Sequence, residues 1–216
     1  MKFLNRNHLK LIALVTMLID HIGAILFPEI EVFRMIGRLS FPIFAFFVAE
    51  GWFYTKNKTK YTLTILLFAI ISQPIYHFAF DGARLNILFT FLLSIALMCL
   101  IDKCSTRNFE FIIYVTLFST VVIFVSMLDI IDYGLLGILL PAIFYVFRDN
   151  NIKYLISTII IAIFSILFSA IQLFSILAIL LLMSYNGKKG KLNIKYSFYI
   201  FYPAHILLLY LISLLI

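Results

Sequence analysis

Two ionisable side chains, Asp20 and His21, stand side by side in an apolar run from Leu9 to Phe27 that is long enough to cross a bilayer. An Asp near the middle of a membrane helix costs about 2.5 to 3.5 kcal/mol on insertion scales, so such residues point to function and demand a partner. Helix neighbours diverge, so Asp20 and His21 cannot face each other, and Asp20 is expected to meet a cation from another span. Arg38 in the next apolar run is the expected cation, with Arg34 one turn away on the same face. The alternative is a polar cluster that only ties two helices together. Lys10 precedes His21 by eleven positions. At about 100° per residue that spacing returns to nearly the same face, roughly 16 Å along the axis, so both side chains border one vertical cleft.

The residue types suit proton transfer beside a charged ligand. The pKa of an imidazole lies near neutrality, so His21 can take the proton of an incoming ammonium or hydroxyl group. A guanidinium stays charged wherever it is buried, and Arg38 can pair with Asp20 or hold an oxyanion or phosphate. His205 follows Tyr202-Pro203 in the last apolar run and is a second catalytic candidate, a structural hydrogen bond being its plainer role. Glu50, followed by Gly51, can bind a cofactor or an amine, or extend to the interface. Ser72-Gln73-Pro74 joins hydrogen-bonding side chains to a helix kink and reads as packing, while Asn86 and Thr90, four apart, line the cleft or glue helices. Asp129 and Asp132 fall in a loop and make a poor metal site, and Cys99 and Cys104 have no nearby His, so no metal is expected.

Composition dictates the elements that must position these groups. Hydrophobic residues make up 64% of the 216, charged residues 12%, and the mean hydropathy is +1.10. A soluble domain carries about 25% charged residues, so the chain reads as an all-α, polytopic transmembrane helix bundle in a single domain, 1–216. Apolar runs broken by charge, Pro and Gly give about nine spans, at 9–27, 35–54, 61–80, 85–101, 109–127, 133–147, 152–169, 171–185 and 196–216. The first run is too long for a signal-peptide core and is read as a retained helix. With these spans, every Lys and Arg except Arg34, Arg38 and Arg84 falls on one side, which places the N-terminus in the cytoplasm of a multi-pass cell-membrane protein. No nucleic-acid motif or Gly-rich phosphate loop occurs.

The motifs also carry a resemblance. KLIALVTMLIDHIGAILFP, FRMIGRLSFPIFAFFVAEGWFYTKN, Ser72-Gln73-Pro74, LNILFTFLL, SYNGKKG and FYIFYPAHILLL, in that order, closely resemble the TraX family, known for acetylating the N-terminus of conjugative pilin subunits. The basic residue, ten positions, then His pattern is similar to that of the membrane acyltransferases often called the acyltransferase-three family, in which the His is held to be catalytic. Arg34 and Arg38 depart from the wider family in being four apart rather than three.

The resemblance implies an acetyl-CoA-dependent membrane acetyltransferase acting on the N-terminal amine of a pilin-like or other small hydrophobic peptide. His21, Asp20, Arg38 and His205 are then the catalytic group, with His21 as base or as carrier of an acetyl-imidazole. Lys10, Arg34, Glu50, Lys188 and Lys189 are expected at the cofactor, and NGKKGK at 186–191 is its candidate loop or a plain positive-inside turn. O-acetylation of an envelope glycan or lipid is the alternative chemistry. A small transporter or flippase is the alternative outside enzymes, and no matching inverted halves support it.

Overall fold

The computed structural model describes residues 2–80, 82, 84–103, 116, 118–120, 122, 124, 129–191 and 197–215, and the described residues form helices without a named strand. In chain order the helices are α1 (Arg6–Ile25), α2 (Glu31–Gly37), α3 (Ser40–Tyr54), α4 (Lys58–Ala79), α5 (Ile87–Lys103), α6 (Gly134–Val146), α7 (Ile152–Leu167), α8 (Ile176–Met183) and α9 (Ser197–Ser213), with a 3₁₀ segment at Ala170–Ser175 leading into α8. The expected span at 109–127 lies largely outside the described residues, as do Cys104, Arg107 and Lys195. By length and composition α1, α4 and the stretch Glu31–Tyr54 can each cross a membrane.

Local chemistry explains the element ends. Asn5 caps α1 by accepting from the His8 backbone N–H at 3.0 Å, and Asn57 caps α4 by accepting from Lys60 at 2.8 Å. The expected span at 35–54 lies within one apolar stretch, Glu31–Tyr54, in which a two-residue turn at Arg38 and Leu39 separates α2 from α3. The turn keeps helical backbone angles, and Arg34 and Arg38, four apart, both reach Asp20 on α1. Gly37 lets α2 approach closely, since a Cβ there would fall on the Cβ, Cγ and Oδ1 of Asp20.

α3 runs through the centre of the bundle and is apolar all round, burying Phe41, Ile43, Ala45, Phe46, Val48, Ala49 and Trp52 against α1, α6 and α8. α4 and α7 instead expose large apolar side chains, among them Leu63, Leu67, Ile70, Ile159 and Ile163. Lipid tails are as apolar as Leu, so helices in a bilayer are held by close packing and hydrogen bonds. The bundle is fastened that way: Thr90 donates to the Asp132 carbonyl at 2.7 Å, Ser94 to Ile138 at 2.8 Å, and Asn86 to Ala69 at 2.9 Å. Asn86 and Thr90 therefore serve as helix glue, and Gln73 joins them by accepting from Asn86 at 2.8 Å.

Candidate active site

Three features lie along α1, where it packs against α2 and against α9. The first is an ion triad. Asp20 accepts from Arg38 Nη2 at 2.6 and 2.8 Å and from Arg34 Nη1 at 2.7 Å, so both expected cations hold one carboxylate. Asp20 is 6% exposed and Arg38 8%, so their pair is shielded from solvent, while Arg34 is partly exposed. Arg38 is pinned further: its Nε donates to the Arg34 carbonyl at 3.3 Å, and its own carbonyl accepts from Ser175 at 2.9 Å. The Arg38 guanidinium lies 5.4 Å from the Tyr133 ring, which stacks on Phe41 at 4.0 Å. Two guanidinium groups around one carboxylate leave a net positive charge.

The second feature is a histidine pair. His21 Nδ1 and His205 Nε2 are 2.6 Å apart, and His205 Nδ1 is 2.6 Å from the Phe201 carbonyl. A carbonyl only accepts, so His205 carries its proton on Nδ1. With both rings neutral, His205 Nε2 is then the acceptor and His21 must donate from Nδ1. The chain of bonds leaves the lone pair of His21 on Nε2, the nitrogen free to take a proton. The backbone of α9 thus sets the tautomer of a side chain on α1, as a carboxylate does for the His of a hydrolase triad. The Phe80 ring, edge-on at 5.2 Å, and Tyr202 at 6.3 Å wall the imidazole.

The third feature is a pair of cavities. A cleft of about 800 Å³ has a mouth formed by Arg6, Lys10, Glu50, Lys56, Lys189 and Lys191, apolar walls that include Phe44, Phe91 and Phe198, and an inner end at Asp132 and Tyr133. Lys10 Nζ sits over the Phe198 ring at 4.5 Å, and Glu50 faces Arg6 at 3.5 Å. A second cavity of about 530 Å³ is lined by Asp20, Arg34, Arg38, Arg84, Asp129, Asp132 and Tyr133. Asp132 and Tyr133 belong to both, so they form a shared wall. His21 and His205 line neither cavity: Tyr202, beside both rings, lines the cleft, and Phe80, edge-on to His21, lines the second cavity.

The structure groups the candidate residues differently from a single catalytic set. His21 and His205 form one unit, and Asp20, Arg34 and Arg38 a second. Lys10, Glu50 and Lys189 share the basic mouth. Arg34, grouped by sequence with the cofactor residues, lies instead on the second cavity with Asp20. The Lys188 carbonyl accepts from the Arg6 backbone N–H at 2.8 Å, which ties the 186–191 loop to the start of α1. Among the described residues no three His, Cys, Asp or Glu side chains are placed to hold a metal.

Sequence reasoning set Asp132 aside as a loop acid, whereas it lines both cavities. Burial pushes its carboxyl up to about 6 against the pull of Arg38. The local signal was faint, because Tyr133 reveals its unusual backbone, φ +59°, only in three dimensions.

The family model for TraX protein matches residues 5–213. A probable fimbrial assembly protein FimC, serogroup H1, of Dichelobacter nodosus is 31% identical over an alignment of 234 residues, covering 93% of this chain and 92% of that protein. An uncharacterized protein of Rickettsia prowazekii (strain Madrid E) is 43% identical over 65 residues, 30% of this chain and 24% of its own. No solved structure matches.

Proposed function

Because the chain belongs to the TraX family, we propose that it is a multi-pass membrane acetyltransferase that moves acetyl from cytosolic acetyl-CoA to the N-terminal amine of a pilin-like or other small hydrophobic peptide. The observation that carries this reading is the histidine pair, whose ring neighbours Tyr202 and Phe80 line two cavities, one of which is edged by basic residues. The mouth suits the phosphates of a nucleotide, with Lys10, Lys56, Lys189 and Lys191 supplying positive charge and Glu50 offset by Arg6. The apolar walls suit the extended arm that carries the thioester. Lys10 and His21 lie on one helix face roughly 16 Å apart, which sets the two ends of the path.

The chemistry follows from the tautomer. An acceptor ammonium gives up a proton to His21 Nε2, and the freed amine attacks the thioester carbonyl. A C–N bond forms, the tetrahedral oxyanion collapses, and the C–S bond breaks as the thiol leaves with a proton. His205 accepts from Nδ1–H throughout and stabilises the imidazolium that forms on His21. Arg38 holds Asp20 through Nη2 and the Arg34 carbonyl through Nε. The ion triad then acts as the fastening that sets α1 against α2.

The test is acetyl-CoA binding to the detergent-purified chain, read as a rise in melting temperature, since a ligand that binds only the folded state stabilises it. Saturable stabilisation by acetyl-CoA, absent with a simple nucleotide, is expected. His21→Ala is expected to keep that stabilisation and lose acetyl transfer. A folded preparation that acetyl-CoA leaves unchanged would sink the reading and favour the transporter.

A further inference from the structure

The second cavity contains as many carboxylates as guanidinium groups, but they are not evenly paired. Arg34 and Arg38 both hold Asp20, and Arg84 is bound to Asp129. Asp132 accepts from the Tyr133 backbone N–H at 3.1 Å, and among the described residues no cation lies within ion-pair distance of it. Its Oδ2 thus keeps open acceptor capacity on a cavity surface. Arg38 attracts it from beyond ion-pair distance, with Nη2 engaged twice by Asp20 and Nε by the Arg34 carbonyl. A half-buried carboxylate without an ion-pair partner is costly, and an incoming cation of the right size relieves that cost.

From this geometry we propose that Asp132 is the binding residue for the acceptor's primary ammonium group, and that the second cavity is the acceptor's port. The proposal rests on the acetyltransferase reading and deepens it. It selects an amine over a hydroxyl acceptor, because a hydroxyl neutralises no charge at Asp132. An ammonium held on the shared wall sits where the cleft ends, which is where the thioester must arrive. Asp132 binds the ammonium form and lets it go as the proton leaves; the bond changes remain C–N formation and C–S cleavage, with the thiol as leaving group. Tyr133, beside it, closes the wall by stacking on Phe41.

The test uses the full chain in detergent and two matched probes: a hydrophobic tripeptide amide with a free α-amine, and the same compound with a hydroxyl in place of the amine. Binding is read by melting temperature at about pH 7, where the α-amine is charged. The wild-type chain is expected to bind the amine roughly tenfold more tightly or better, the usual worth of a charge-assisted hydrogen bond. Asp132→Asn should bind both probes alike, and Asp132→Glu should recover most of the preference. Acetyl-CoA stabilisation, measured in parallel, shows whether each variant retains its fold and its cleft, and Asp132→Ser is a second neutral variant. No preference in the wild-type chain, or a preference that survives both neutral substitutions, overturns the proposal. An Asp132-dependent preference without any acetyl-CoA effect would keep the amine site and remove the acetyltransferase reading.

Discussion

Replacing His205 separates a base from the residue that orients it. The Phe201 carbonyl holds the His205 Nδ1 proton at 2.6 Å, and His205 Nε2 in turn accepts from His21 at 2.6 Å. His205→Phe removes that acceptor and leaves the His21 Nδ1–H with no fixed partner. The imidazole can then place its proton on either nitrogen, and the hydrogen bond that strengthens as His21 becomes charged is lost, a difference of about 1 to 1.5 kcal/mol between charged and neutral donors, close to tenfold in rate. The expected result is a fall of about tenfold in kcat with KM for acetyl-CoA unchanged. His21→Ala removes the base itself and is expected to cost about a hundredfold to ten-thousandfold. His205→Gln, whose amide oxygen can accept from Nδ1–H, should recover part of the rate, a rescue that a purely structural role would not give. The assay is transfer of labelled acetyl from acetyl-CoA to a peptide amine by detergent-solubilised protein, with the melting temperature of each variant as control. Equal losses for His205→Phe and His21→Ala would refute the assignment of roles, and an unchanged rate would reduce the pair to packing.

Three further outcomes are expected. Gly37→Ala should destabilise the chain by about 1 to 3 kcal/mol, because the new Cβ falls on the Asp20 carboxylate; the same change in an ordinary helix interior stabilises, so the sign of the melting shift is the readout. Lys189→Ala should raise KM for acetyl-CoA severalfold at low salt with kcat unchanged, and the difference should shrink as salt screens the mouth, as a titration at two ionic strengths will show. With its carboxyl raised to about 6, Asp132 is charged above that pH, so the wild-type preference for the amine probe should fade as pH drops through about 6 while Asp132→Asn stays flat. The groups facing Asp132 are Asp20 on α1, Arg34 and Arg38 on α2 and at its end, Tyr76 on α4, and Arg84 and Tyr133 in the adjoining turns. The same raised value means the folded chain binds this proton where the unfolded chain, near 4, has lost it, so the Asp132 contribution to stability declines as pH rises from about 4 to 6. Comparing wild type with Asp132→Asn isolates that decline from the titration of histidines.

The polar site was legible wherever charge stood out against an apolar background. Asp20, His21, Arg34 and Arg38 were conspicuous because a bilayer helix carries so few such residues, and the need for a counter-ion led from Asp20 to the arginines of the next run. His205 stood out for the same reason. The turn at Arg38 and Leu39 was not legible, since no Pro or Gly stands at those two positions. Asp132 was hidden by its place in a loop, where an acid is ordinary; only the meeting of two cavities distinguishes it from Asp129, which Arg84 holds. The span expected at 171–185 was legible as apolar, but its start lies in the 3₁₀ segment Ala170–Ser175, where Gln172 donates to Ser175 at 2.6 Å and Ser175 donates to the Arg38 carbonyl.

The wall of Asp132 and Tyr133 has an electrical consequence. A bilayer ordinarily spreads its voltage over about 30 Å of hydrocarbon. The cleft and the charged second cavity meet at this wall, so the insulating layer is thinned beside it. An elementary charge that crosses the full drop does work of about 2.3 kcal/mol per 100 mV. A catalytic cycle that returns the amine's proton to the side it came from is indifferent to that field, whereas one that hands it across the wall runs faster or slower with the energised state of the cell.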